Sequence, residues 1–251
     1  MKFISGLVSI SFRKLSSDEI IDITKNANLS AIEWGGDVHV PAGKTDIAAA
    51  VGAKTSQAGL LIPEYGSYYR LGVSEPEEID GVAVCARALK TDTVRIWAHN
   101  KGSEAATEEE YSRAVQDAKR ICARYPDLTF CTECHNYTLT DDYKSNLRLI
   151  EDVNMPNFGA FWQPNQFKSF EYNLESARAL APFVKSVHVF SWEGKTAYPL
   201  AYHDEKWKKY LSVFAERGSS DRIYAMLEFM HDGSPGSLCK TAEELRSILQ
   251  F

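Results

Sequence analysis

Strand-like apolar runs open near Lys2, Asn28, Gln57, Asp92, Asp127, Asn157, Val184 and Arg222, and a helix-like segment follows each of them. Eight strands alternating with eight helices leave few architectures. Neighbouring parallel strands need a long crossover, and the intervening helix supplies it. A closed barrel uses every unit and leaves no edge strand exposed. An open doubly wound sheet usually carries a glycine-rich phosphate loop after its first strand; here that stretch reads GLVSISFRKLSS and lacks G-x-G-x-x-G. Ser16-x-x-Glu19, Thr107-x-x-Glu110 and Thr241-x-x-Glu244 read as capping boxes opening three of the helices. No linker or short-period repeat interrupts the alternation. The expected fold is therefore α/β, a (β/α)8 TIM barrel forming a single domain over 1–251.

Charge narrows the partners. The chain carries 34 acidic side chains against 28 lysines and arginines, a formal net charge of −6, with no basic run. Nucleic acid and anionic membranes leave a basic footprint on the proteins that bind them, so neither is an expected partner. No segment approaches the ~18–20 apolar residues of a membrane span. The N-terminal MKFISGLVSISF lacks a small-residue cleavage pattern and reads as a strand rather than a signal peptide. Five cysteines, an odd number, suit a reducing compartment better than a disulfide framework, and a cytoplasmic location is expected.

The chemistry lies at strand ends. LTFCTECH, VKSVHVF and IYAMLEF each place Glu133, His188 or Glu228 near the C-terminal end of a mostly apolar strand, and FGAFWQP places Gln163 at the matching point. A charged or imidazole group inside a buried strand is costly unless it is paired or bound to a cation. Four oxygen and nitrogen donors, one on each of four successive strands, are most simply explained by one divalent metal ion. Mn²⁺ is the leading candidate, with Mg²⁺, Co²⁺ or Zn²⁺ behind it. Strand alternation puts Cys131, Glu133 and His135 on one face, and Met226 with Glu228 on another strand's corresponding face.

Other positions carry weaker signals. All six histidines (His39, His99, His135, His188, His203 and His231) fall at strand ends or in the loops beyond them, and Trp34, Trp97, Trp162 and Trp192 lie at strand C-ends. With Tyr65, Tyr68 and Tyr69 these rings are candidates to wall a sugar-sized pocket, against the alternative of ordinary packing under the loops. Cys131-Thr-Glu-Cys134 has redox-motif spacing. Positions three apart on a strand face opposite sides, however, and no second pair completes a zinc site, so two unreactive thiols are expected. Arg70, Arg95 and Lys101 are candidate anion holders, each more often a structural charge.

IEWGGDVHVP, YGSYYRLG, VRIWAHNKGS, ECHNYTLTD, FWQPNQ, VHVFSW and LEF occur in this order over nearly the whole chain. Together they resemble the sugar phosphate isomerase/epimerase-like proteins of the xylose isomerase-like TIM-barrel superfamily, which also holds ketose 3-epimerases, hydroxypyruvate isomerase, inosose dehydratase and endonuclease IV. The resemblance implies a metal held by Glu133, Gln163, His188 and Glu228, with Glu133 and Glu228 doubling as the acid/base pair. Relatives often carry Asp-x-x-His on the sixth strand, where this chain reads Gln163-Pro-Asn-Gln166. Both positions are amides, so the ligand set loses one negative charge and weaker metal binding is expected. Gln166 takes the place of a substrate-contacting histidine.

The expected activity is metal-assisted proton transfer beside a carbonyl, through an enediolate, on a sugar or related polyol with or without phosphate. The activity would thus be that of an isomerase or epimerase. Glu133 and Glu228 are the expected catalytic carboxylates. His39, Tyr65, Trp97, His99, His135, Gln166 and Lys195 are the expected substrate contacts. A dehydratase on the same metal site and a non-catalytic sugar-binding relative are the alternatives. A metal-dependent endonuclease fits less well, since it would want more ligands and a basic surface. The expected partner is a small-molecule sugar or polyol, with room for a homo-oligomer.

Overall fold

A computed structural model describes residues 3–216 and 222–250. Eight parallel strands close into a barrel: β1 (Phe3–Val8), β2 (Ala31–Gly35), β3 (Tyr65–Leu71), β4 (Thr93–Ala98), β5 (Thr129–Glu133), β6 (Phe158–Trp162), β7 (Val184–Val189) and β10 (Ile223–Leu227). The circuit closes where β1 pairs with both β2 and β10. A short antiparallel hairpin, β8 (Trp192–Glu193) with β9 (Thr196–Ala197), follows β7. Eight helices surround the barrel: α1 (Ser17–Asn26), α2 (Thr45–Gln57), α3 (Glu78–Leu89), α4 (Glu108–Arg124), α5 (Tyr143–Val153), α6 (Phe170–Leu180), α7 (Asp204–Glu216) and α8 (Leu238–Ile248). No helix among the described residues is long and apolar enough to cross a membrane.

Strand alternation sorts the side chains into two compartments. Leu7, Ile32, Trp34, Val94, Ile96, Phe130, Ala160, Trp162, Val187 and Leu227 face the helices and join the main core. The opposite positions point into the barrel. Along β1, β2 and β10 they form a small apolar cluster of Ile4, Val8, Ala31 and Met226, joined by Ile10. Elsewhere the interior mixes Phe161, packed against His188, with polar and charged side chains. Adjacent-strand register aligns Gly66 with Arg95 and Arg95 with Cys131, and aligns Met226 with His188. Glu33, Arg95, Glu133 and His188 thus bring charge into the barrel interior, an arrangement that only pairing can stabilise.

Two of the expected capping boxes are present, at Ser16/Glu19 and Thr107/Glu110, each with both reciprocal hydrogen bonds. The third is not. Thr241 lies inside α8, which starts at Leu238 after a short 3-10 turn over Pro235–Ser237; its hydroxyl donates to the Ser237 carbonyl instead. Glu244 accepts from the Ala201 amide and so ties α8 to the loop before α7. The third strand also lies later than expected. Gln57 ends α2, Leu61 makes an isolated bridge to Ala31, and the strand proper begins at Tyr65, after Pro63. An apolar Gly-Leu-Leu-Ile run before a proline imitates a strand, but proline offers no amide to a central ladder. The expected strand start at Lys2 lies outside the described residues, and β1 begins at Phe3.

Candidate functional site

Glu133 is the last residue of β5, His188 the penultimate residue of β7, and Glu228 follows β10 directly. Strand direction brings all three to the C-terminal rim, where βα loops build a floor and walls around them. One donor atom from each lies within 4.8 Å of the others, close enough to share one cation. Gln163 follows β6 and lines the same cavity. That cavity measures about 290 Å³ and is also bordered by Arg13, Tyr68, Arg95, Trp97, His135 and Trp192.

The hydrogen bonds of these donors are unequal. His188 Nε2 lies 2.8 Å from Glu33 Oε2, while Nδ1 has no hydrogen-bond partner and lies 3.6 Å from Glu133 and 3.5 Å from Glu228. Gln163 donates from Nε2 to the Cys134 carbonyl at 2.8 Å, and its Oε1 is buried with no partner. A buried polar atom left unsatisfied is expensive. Here one lies on His188, against the Glu133 and Glu228 carboxylates, and the other on Gln163, which lines the cavity with those carboxylates. An imidazole nitrogen, an amide oxygen and two carboxylates are together a donor set suited to a divalent cation.

Charge inside the barrel is organised around Arg95. This side chain, 2% exposed, donates from Nη1 to Glu133 at 2.6 Å and from Nε to Glu33 at 3.2 Å. Gly66 makes room for the pair: a Cβ there would sit 2.5 Å from Glu33 Oε1 and 3.0 Å from Arg95 Nη2. Burial alone would raise the Glu133 carboxyl, but the Arg95 charge and then the His188 contacts hold it well below the usual carboxylate range. Burial likewise acts to lower the His188 imidazole. The charges of Glu33 and Glu228 outweigh it and raise the group well above its ordinary value. Glu64, just before β3, accepts from Ser186 Oγ at 2.9 Å. Burial first and the Glu33 charge second push its carboxyl well up.

Among the expected substrate contacts, Trp97, His135 and Gln166 line the cavity. The indole of Trp97 packs 4.4 Å from the His135 ring, centroid to centroid. His39, Tyr65, His99 and Lys195 are not among the lining residues. His39 is held by Ser9 and the Leu15 carbonyl, and Tyr65 donates to the Val40 carbonyl. His99 is buried beside the β4 end, with its carbonyl accepting from Arg70. Lys195 is exposed at the β8–β9 turn.

The tryptophans divide. Trp97 and Trp192 stand on the cavity wall, whereas Trp34 and Trp162 are fully buried and donate to Thr55 and Ser176 on the surrounding helices. Of the candidate anion holders, Lys101 pairs with Glu110, Arg70 packs over the Trp97 ring, and Arg95 belongs to the interior network. Cys131 and Cys134 are free thiols, and burial raises both, Cys134 to about 12, in keeping with unreactive groups.

Glu33 and Glu64 escape a reading based on the sequence. Glu33 carries a usable signal, because AIEWG repeats the pattern of a lone glutamate near the end of a buried strand. Glu64 sits in an irregular segment before a displaced strand and carries none.

No protein-family model matches the chain. A 3-dehydroshikimate dehydratase from Bacillus anthracis is 28% identical over 120 residues, spanning 45% of this chain and only 41% of that protein. Among solved structures, the probable 3-DHS dehydratase AsbF of Bacillus anthracis superposes with a TM-score of 0.78 at 20% identity, covering 98% of this chain and 99% of the other. The IolI protein with a bound zinc atom gives 0.75 at 13% identity, covering 98% of each chain. D-Psicose 3-epimerase from Clostridium cellulolyticum H10, solved with D-tagatose, gives 0.69 at 13% identity, covering 99% and 98%. The shared fold is that of xylose isomerase-like TIM-barrel proteins.

Proposed function

We propose that this chain is a metal-dependent enzyme that removes a proton beside a carbonyl of a polyhydroxylated small molecule. The observation that carries the reading is a pair of buried atoms without hydrogen-bond partners: His188 Nδ1, 3.6 and 3.5 Å from the Glu133 and Glu228 carboxylates, and Gln163 Oε1, on a residue lining the cavity with them. Glu133, Gln163, His188 and Glu228 would hold the ion. A bound divalent cation would withdraw charge from the carbonyl and so acidify the neighbouring C–H.

The two carboxylates are not equivalent. Glu133 is pinned and kept ionised by Arg95, while Glu228 is approached among the described residues by His188 at 3.5 Å and faces the cavity. Glu228 is therefore the better placed base. Glu133, held ionised, would serve first as a ligand and would act as the second proton-transfer group only by taking up a proton during turnover. Trp97, His135 and Gln166 would contact the substrate, with Trp97 and Trp192 offering apolar faces to its carbons.

Two fates follow proton removal. Return of the proton to another face or atom makes an isomerase or epimerase of a sugar or polyol, supported by the likeness to D-psicose 3-epimerase. Expulsion of a β-hydroxyl makes a dehydratase, supported by the 28% match to 3-dehydroshikimate dehydratase and the likeness to AsbF. Incubating the Mn²⁺-loaded protein with ketoses and with 3-dehydroshikimate in ²H₂O separates them. Deuterium in recovered sugar or its epimer identifies the first, and loss of water with a new conjugated product the second. Absence of both, with every divalent metal tried, rejects the reading.

The amide at Gln163 makes its own prediction. Gln163→Asp adds a third carboxylate to the four donors and should tighten Mn²⁺ binding by about tenfold or more, since ligand charge sets the affinity of hard-cation sites. Titration calorimetry checks it. Unchanged or weaker binding would remove Gln163 from the ligand set.

A further inference from the structure

Glu33 does not border the cavity and is fully buried, yet it touches the apparatus at two points. One oxygen lies 2.8 Å from His188 Nε2, and the other accepts from Arg95 Nε at 3.2 Å. Arg95 in turn holds Glu133. A chain of three contacts therefore connects two of the four candidate metal donors, His188 and Glu133, through a buried residue that does not border the cavity. We propose that Glu33 is a positioning residue: its carboxylate fixes His188 with Nδ1 turned to the Glu133 and Glu228 carboxylates and, through Arg95, fixes Glu133 beside it.

The inference rests on the reading of the site as a divalent-metal centre. An imidazole can present either nitrogen to a cation, and the hydrogen bond made by the other nitrogen selects which one. With Nε2–H donated to Glu33, Nδ1 is the nitrogen left to give up its proton and ligate the ion. The backbone has been shaped around this contact, because glycine at position 66 is what allows Glu33 and Arg95 to meet. An ordinary structural ion pair would need only Arg95. It would not need one oxygen turned to the imidazole of a strand on the far side of the barrel. Glu33 lies on β2 and His188 on β7, which are not adjacent in the sheet.

Co²⁺ provides the probe, with wild type, Glu33→Gln and Glu33→Ala compared in the full chain. Glu33→Ala should bind Co²⁺ about 10- to 100-fold more weakly, the usual cost of losing a hydrogen-bond partner of a ligating histidine. Glu33→Gln keeps an acceptor oxygen and should recover part of that loss. In the Co²⁺-loaded wild type, the His188 Nε2–H should give a shifted, slowly exchanging proton resonance. It should persist in Glu33→Gln and vanish or exchange rapidly in Glu33→Ala. A purely structural role would alter melting without moving the resonance.

Wild-type affinity and an unchanged resonance in a folded Glu33→Ala protein would overturn the proposal while leaving the metal reading intact. Failure of the wild type to bind Co²⁺ or Mn²⁺ would reject the metal reading, and the proposal with it. If Glu33→Ala does not fold, Glu33→Gln decides alone. Weaker binding upholds the proposal, and wild-type affinity overturns it.

Discussion

Replacing Arg95 with methionine should destabilise the metal-free protein by about 3–5 kcal/mol, the cost of breaking a buried ion pair from one side. For a chain of this size that corresponds to roughly 10 °C in melting temperature. Methionine keeps much of the stem but leaves Glu33 and Glu133, both buried, without the cation between them. Lysine would not restore the pair fully, because a point charge cannot reproduce the guanidinium fork that reaches two carboxylates at once. Thermal melts in the presence of a chelator give the measurement. Excess Mn²⁺ should recover part of the loss, about 2.7 kcal/mol at a hundredfold excess over Kd in the ideal linkage case. A loss below about 1 kcal/mol, the level of an exposed salt bridge, would mean that Arg95 does not bind the interior together.

Glu228→Gln should slow deuterium exchange at the substrate carbon by about 10²- to 10⁴-fold, the range for removing a general base. The amide retains an oxygen donor, so metal content should change far less than exchange. Glu133→Gln should behave differently. It removes the charge that Arg95 pairs with and that a bound metal would share, and should lower metal occupancy together with exchange. Elemental analysis run beside the exchange assay separates the two variants. Unchanged exchange in Glu228→Gln would move the base elsewhere on the cavity wall, and equal metal loss in both would reduce Glu228 to a ligand.

The barrel was legible because its periodicity is carried by many residues at once. Single errors, such as the apolar run before Pro63 that imitates β3, leave the alternation intact. Glu133, His188 and Glu228 were legible for a related reason: each is a polar residue where a buried strand tolerates none without a partner. The partners themselves were harder to read. Arg95 lies in VRIWA and Glu33 in AIEWG, and nothing local states that these strands face one another across a barrel. Only closure brings Glu33 to His188. Residues near strand ends were least legible, because His39, Tyr65 and His99 turn into packing, and Thr241 mimics a cap inside a helix that starts at Leu238.

Trp34, Trp162 and Trp207 are sealed between strands and helices, while Trp97 and Trp192 border the cavity, their indole N–H groups without partners among the described residues. The intrinsic fluorescence of the chain therefore divides into a constant component and a component that reports on the cavity. A ligand stacking on either wall should alter emission without any attached dye. The protein carries its own optical titration signal.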